Sequence, residues 1–518
     1  MMKKGLISIV LTAVILIATA ITGSAKVIIE DVGDSIFPSY FMPAEGEVGA
    51  LVIPVEFVDF RFQEDPVQTL ESMFGGEGTA YVPSVADYFV RASYGEMQLR
   101  PEVQPVVRLS GTRKSYSGDH AKLISDLLAV ISDRGVDLHE FDRNGDGILD
   151  GLYLIWAGRA ESAGSDWWPY SDTFYFEYEV CGIQIGSFSS LSYELMTQDS
   201  LLRQYTAIHE TGHQLGLTDY YANSYTSGTN AAVMMDRNEG DEDCFSKMLL
   251  GWISPQVVTS SCYITLQSAS TNADAALIAP SSWDGNYLSE YFMAEYVTPE
   301  ANQQNQPLSA GGGVRIWHVS AATSQWTDDI TASMYRNDNT GDGSKLLCVV
   351  DPAQEWYGSG ESITEEQTLL YTGEESGIAI RVESIANGQA QLCISYFGEE
   401  PAKPEILEDP AAGESESETE GNSESEEDFL KDPYEDSYEE EGAYSEDEIG
   451  EEELTAEGET ESETENEQTN DLSEDGTMKK KLPPVFPVLF IILLGFLVYI
   501  LLKGDKKRKH KKRRKGQK

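Results

Sequence analysis

The string HETGHQLGLTD at 209–219 constrains this chain more than any other stretch. His209 and His213 stand four residues apart, so on a helix they project from one face about one turn apart. Both imidazoles can then grip one metal ion, and Glu210 between them reaches a water on that ion. Gly216 ends the helix or turns it sharply, which lets Asp219 return as a third, oxygen ligand. Any fold that encloses this string has to provide a helix, a tight turn and room for a cation. Only six histidines occur in 518 residues, so chance is a poor explanation for two of them at this spacing with a glutamate between.

Neutral imidazoles suit zinc, and three protein ligands leave a fourth position for water. Zinc brings the pKa of such a water towards neutrality. Glu210 is then the expected general base, taking the water's proton and passing it to a leaving amine. Zinc and nearby donors would stabilise the oxyanion. Tyr220 or Tyr221 is a candidate donor for that role, with aromatic packing beside the metal as the competing explanation. His318, on a strand beside Trp317, reads as a core histidine.

A second constellation is DRNGDGILD at 142–150. Asp142, Asn144, Asp146 and Asp150 supply oxygens at loop positions 1, 3, 5 and 9, with the Ile148 carbonyl at 7 and Gly147 at 6, as in a calcium loop. Tyr153 stands where an EF-hand has its bidentate glutamate, so the pattern is incomplete. It implies a structural calcium ion.

The formal net charge of −52 is unevenly spread. Residues 399–478 carry −32, residues 479–518 carry +13 and the remainder −33. An acidic body excludes a nucleic-acid partner, because the phosphate backbone demands a basic face. Residues 1–25 have lysines, an apolar run and a small-residue end, the pattern of a signal peptide. Residues 26–46 form a short propeptide-like segment. Residues 47–254 alternate strands and helices, which favours an α/β (α+β) catalytic domain. Residues 255–398 lose helical periodicity and read as a β-rich domain. Residues 399–481 hold too little apolar surface to offset ordering entropy and are expected to be a disordered acidic stalk. The apolar run 482–502 is long enough, at roughly 31 Å, for one transmembrane helix. The basic tail 503–518 is then cytoplasmic and everything upstream lies outside the cell.

Five cysteines (Cys181, Cys244, Cys262, Cys348 and Cys393) show no metal-type pairing. A bridge among the last three is an option in an extracellular protein, and an odd count leaves at least one thiol. No cysteine lies between the signal peptide and Val48, which argues against inhibition by a propeptide cysteine.

HETGHQLGLTDYY, followed by Met234 and Met235, resembles the metzincin metallopeptidases, and within them the immune inhibitor A-like family M6. The VEFVDF strand (55–60), ASYGEMQL (92–99), DRNGDGILDGLYLIWAG (142–158), FSKMLLGWISP (245–255) and GGGVRIWHVS (311–320) are similar to the same family. The likeness spans 47–398 and omits the stalk, membrane segment and tail. It implies a cell-surface zinc endopeptidase cutting extracellular proteins, with His209, His213 and Asp219 as ligands and Glu210 as base. Met235 is the expected Met-turn residue and Met234 the alternative, since Val233 stands where the family's turn carries an acidic residue. A non-catalytic surface adhesin with a vestigial peptidase domain is the alternative. A metallohydrolase acting on another bond is a further one.

Overall fold

The apolar run that opens the α/β segment becomes the middle of a sheet. In the computed structural model, strand β1 (Gly46–Glu56) pairs in parallel with β2 (Met97–Val103), with the short β3 (Val107–Arg108) and, on its other side, with β4 (Gly151–Trp156). Strand β5 (Tyr170–Thr173) is antiparallel to β6 (Ser187–Ser192), which is parallel to β4. The order β2-β1-β4-β6-β5 therefore ends on an antiparallel edge strand.

Side chains alternate across a strand, and a parallel sheet needs cover on both faces. Val48, Ala50 and Val52 of β1 enter one core together with Tyr153 and Ile155 of β4. Leu51, Ile53 and Val55 enter the other, with Leu152, Leu154 and Trp156. Helices α1 (Val67–Gly75) and α2 (Val85–Ala92) lie on the first face. The Ser84 hydroxyl accepts the Asp87 N–H at 3.1 Å and so caps α2. On the second face lies α3 (His120–Asp133), capped by Asp119, with Leu123, Leu127 and Ile131 at helical spacing buried beneath it. Helix α4 (Tyr205–Gln214), which carries His209 and His213, packs in the first core, followed by α5 (Met234–Arg237) and α6 (Cys244–Leu249).

A second sheet holds the strand Val27–Ile28, then β7 (Gln256–Val258), β8 (Ala276–Ile278), β9 (Glu290–Val297), β10 (Gly313–Ser320) and β11 (Leu347–Val349), in that order. One face, with Val257, Leu277, Met293 and Trp317, completes the first core. The other, with Ile278, Phe292 and Ile316, packs on a four-stranded sheet built from Cys262–Gln267, Gln389–Tyr396, Ile378–Ala386 and Ser362–Ile363. The chain is thus a mixed α/β protein with a β-rich second half, and the first core takes side chains from both sides of residue 254.

The structure describes residues 27–28, 35–76, 83–174, 177–198, 205–222, 228–322, 335, 337–340 and 343–403. These fall in one compact unit, Met1–Glu414. The expected signal peptide, the expected stalk beyond 403, the expected membrane segment and the basic tail lie outside the described residues. Among those described, no helix is long and apolar enough to cross a membrane. All five cysteines are free thiols, with Cys181 alone exposed. Cys262 and Cys393 sit on paired strands, where Cys262 opposes Ile394 and Cys393 opposes Tyr263. Neighbouring positions on a strand face opposite sides, so these two do not meet.

Candidate metal centre

Helix α4 ends at Gln214, and Gly216 follows at φ +102°, a left-handed conformation that favours glycine. The chain then doubles back. His213 Nδ1 bonds the Leu217 carbonyl at 2.9 Å, and His209 Nδ1 bonds the Met234 carbonyl at 3.1 Å. A carbonyl only accepts, so Nδ1 donates in both rings and each Nε2 is left to act as a ligand. Asp219 Oδ1 lies 3.1 Å from both Nε2 atoms. Among the described residues, His209, His213 and Asp219 are the one group of His, Cys, Asp or Glu whose ligand atoms could hold a metal ion, all within 4.8 Å of one another.

The electrostatics of this cluster call for positive charge. Burial opposes a charged His213, yet the Asp219 carboxylate beside it wins and pushes the imidazole up to about 10. Burial also opposes a charged Asp219, but the two imidazoles hold its carboxyl far below the usual carboxylate range. The side chains of Asp219 and His213 are 35% and 21% exposed against 7% for His209, so the donors open to solvent on one side. Glu210 is buried, and its Oε2 has no hydrogen-bond partner. An orphaned buried oxygen on the helix that carries two of the three convergent donors calls for an explanation other than packing.

The surroundings hold these side chains in place. The Ser171 hydroxyl of β5 donates to the Glu210 carbonyl at 2.7 Å, and the Ser189 hydroxyl of β6 reaches it at 3.3 Å. The two methionines divide their tasks. Met234 contributes the carbonyl that fixes His209, and Met235 places its sulfur against Gly212, where a Cβ would collide with it. Sequence offers no signal for a backbone carbonyl in that role. The tyrosines separate as well. Tyr220 is fully buried with its hydroxyl on Ser246 at 2.9 Å, while Tyr221 donates to Asp219 Oδ2 at 2.7 Å and stacks near His209. His318 is buried in the second half and bonds Glu290 at 2.9 Å.

The residues at 142–150 are drawn together differently. Asp142 accepts the N–H groups of Gly145, Asp146 and Gly147, Asn144 accepts that of Asp146, and Asp146 accepts that of Ile148. Gly145 and Gly147 make the turn at φ +75° and +88°. Asp150 reaches back, its Oδ2 accepting the Gly49 N–H of β1 at 2.8 Å and the Arg143 N–H at 3.0 Å. Its Oδ1 is buried without a partner, and burial pushes its carboxyl up to about 6. The loop thus offers one orphaned carboxylate oxygen, while its other carboxylates sit on backbone N–H groups.

Compared with known proteins, the chain matches no family model and no curated protein.

Proposed function

We propose that this protein is a zinc-dependent metalloendopeptidase of the immune inhibitor A-like, metzincin type that hydrolyses peptide bonds of extracellular proteins. The reading rests on one observation: two imidazole Nε2 atoms and one carboxylate oxygen converge at helix α4, which also carries Glu210 with its buried, unpartnered Oε2. Two nitrogens and one oxygen are a donor set that zinc accepts. When bound, zinc would supply Lewis acidity towards water and the scissile carbonyl. His209, His213 and Asp219 would hold it. Glu210 takes a proton from the attacking water on Oε2 and delivers it to the leaving amine. Tyr221 spends its one O–H proton on Asp219 Oδ2, so it would serve the oxyanion only by turning away from that carboxylate. Strand β5 ends its sheet and is tied through Ser171 to the Glu210 carbonyl, so an extended peptide added along that edge would lie beside the base.

The signal peptide, acidic stalk and apolar run at 482–502 support a single-pass surface anchor with the catalytic segment outside. A zinc-selective chelator is expected to stop cleavage of an unstructured protein substrate, and added zinc to restore it. Cleavage that ignores the chelator would reject the reading.

Calcium at 142–150 is part of the same proposal. The buried Oδ1 of Asp150, left without a donor, supports it, and Asp142 and Asp146 would have to turn from the backbone N–H groups they accept to join it around a cation. Calcium is expected to raise the melting temperature of the wild type, and Asp146→Ala to abolish that increment. In chelator the same variant should lose little, on the order of 1 kcal/mol, because it forfeits two exposed hydrogen bonds, from the Ile148 N–H and the Asn144 amide. An equal loss with and without calcium would reject the loop as a calcium site.

A further inference from the structure

Three glycines, one opening β4 and two between elements, leave room for one stretch of chain, residues 35–44. A Cβ added at Gly216, just past the metal helix, would lie 2.5 Å from the Phe37 ring. One added at Gly186 would collide with the Tyr40 carbonyl, and one at Gly151, the first residue of β4, would come within 2.5 Å of Met42 Cε. The backbone is tied down at the same places. Ile36 N–H donates to the Leu249 carbonyl of α6 at 3.1 Å, and Met42 N–H to the Gln214 carbonyl at the end of α4 at 2.7 Å. Trp252 Nε1 donates to the Ala44 carbonyl at 2.7 Å. Phe41, Met42 and Ala44 are buried, and Met42 and Ala44 belong to the first core. Upstream, Val27–Ile28 adds a strand to the edge of the second sheet against β7.

A segment meant to be discarded packs on a finished surface. This one fills the interior, and its loss would empty the space under Gly216 and Gly151 and strip Gln214 and Trp252 of their partners. We infer that residues 35–44 stay in the working protein and that Phe37 is a positioning residue for Asp219. The ring presses on Gly216, the single turn between His213 and Asp219, and so sets where the carboxylate meets the two imidazoles. Phe37 touches no ligand itself and acts through the backbone at Gly216. The role assigned to Phe37 rests on the zinc reading above. The retention of 35–44 does not.

Two measurements on the full-length protein test this. Zinc affinity, read by competition with a chromogenic chelator, is expected to fall on the order of tenfold to a hundredfold in Phe37→Ala, as for loss of a ligand-orienting partner. Phe37→Leu, which keeps most of the bulk, should restore it to within about threefold. A Phe37→Ala protein that binds zinc as tightly as the wild type would overturn the positioning role. A wild type that binds no zinc would instead overturn the proposed function, which keeps the two failures apart. If Phe37→Ala does not fold, N-terminal sequencing of the active wild type still decides the first half. The expected N-terminus lies upstream of Ile36, and an active protein that starts beyond Ala44 would overturn it.

Discussion

Glu210→Ala is expected to keep about one zinc per chain while cleavage falls by at least ~10²–10⁴, the span a positioned general base contributes. The separation of the two readouts follows from the site. His209, His213 and Asp219 take their orientation from Met234, Leu217 and Tyr221, none of which depends on the Glu210 side chain. The Glu210 carboxyl leaves Oε2 unpartnered, so truncation breaks no bond at that oxygen. What disappears is a buried acid on the helix that carries both histidines, the proposed proton shuttle. Glu210→Gln, which keeps the shape but not the basicity, should lose as much. Glu242, a second buried acid with no hydrogen-bond partner on either oxygen, approaches the same helix at Gly212 and remains in both variants. The assay is zinc content by metal analysis beside cleavage of a denatured protein substrate. Surviving cleavage in either variant would sink the mechanism, and loss of zinc would show that Glu210 supports the metal.

The largest effect on stability is expected at Lys247, far in sequence from the metal helix. Its Nζ lies 2.7 Å from Asp241 Oδ2 with both side chains almost fully buried, and it also donates to the Tyr94 hydroxyl at 3.0 Å. Burial works against a charged lysine, but Asp241 holds this ammonium well above its usual range. Asp241 is followed by Glu242 and Asp243, two further buried acids whose carboxyls burial pushes up. Lys247→Met therefore leaves a buried carboxylate with only the Asn302 amide at 3.0 Å as a side-chain donor. The expected loss is about 3–5 kcal/mol, typical of breaking a buried pair from one side. Adding Asp241→Leu should recover much of it, since replacing both charges can be near neutral. The Asp241 carbonyl also accepts the Met234 N–H at 3.3 Å, so the single variant should weaken zinc binding through His209. Urea unfolding and zinc titration of both variants check this. A loss below about 1 kcal/mol would mean that the pair is solvated, as surface pairs are.

Much of the framework was readable before any coordinates. The leucine spacing at 120–133 reads as a helix, and α3 runs His120–Asp133. The β-branched run after Val48 reads as a buried strand, and β1 is buried from Val48 onward. Strand β6 was not legible. Its sequence SFSSLS looks like a polar loop, yet every residue is buried. Ser187 and Ser189 lie on the face that α4 packs against, Ser190 lies on the opposite face with Trp156, and the hydroxyls are used on both. Ser189 reaches the Glu210 carbonyl, Ser190 accepts Trp156 Nε1 and Ser192 donates to the Gly158 carbonyl. Hydropathy cannot separate a satisfied buried hydroxyl from an exposed one. The packing of residues 35–44 is not legible for a related reason. A short stretch of aromatic and small residues has no periodicity, and its core role exists only through glycines elsewhere in the chain.

What the sequence alone determined was local: a helix with two imidazoles one turn apart, a glutamate between them and a glycine where the chain must reverse. Those follow from helical pitch and from glycine's freedom at positive φ, neither of which needs a distant partner. Only the tertiary structure decided where Asp219 points, which methionine lies under Gly212, which carbonyl holds His209 and that Phe37 sits beneath Gly216. Each of these is a contact between segments separated along the chain. Packing selects such contacts from many that the same residues could have made, so they were settled only when the core closed.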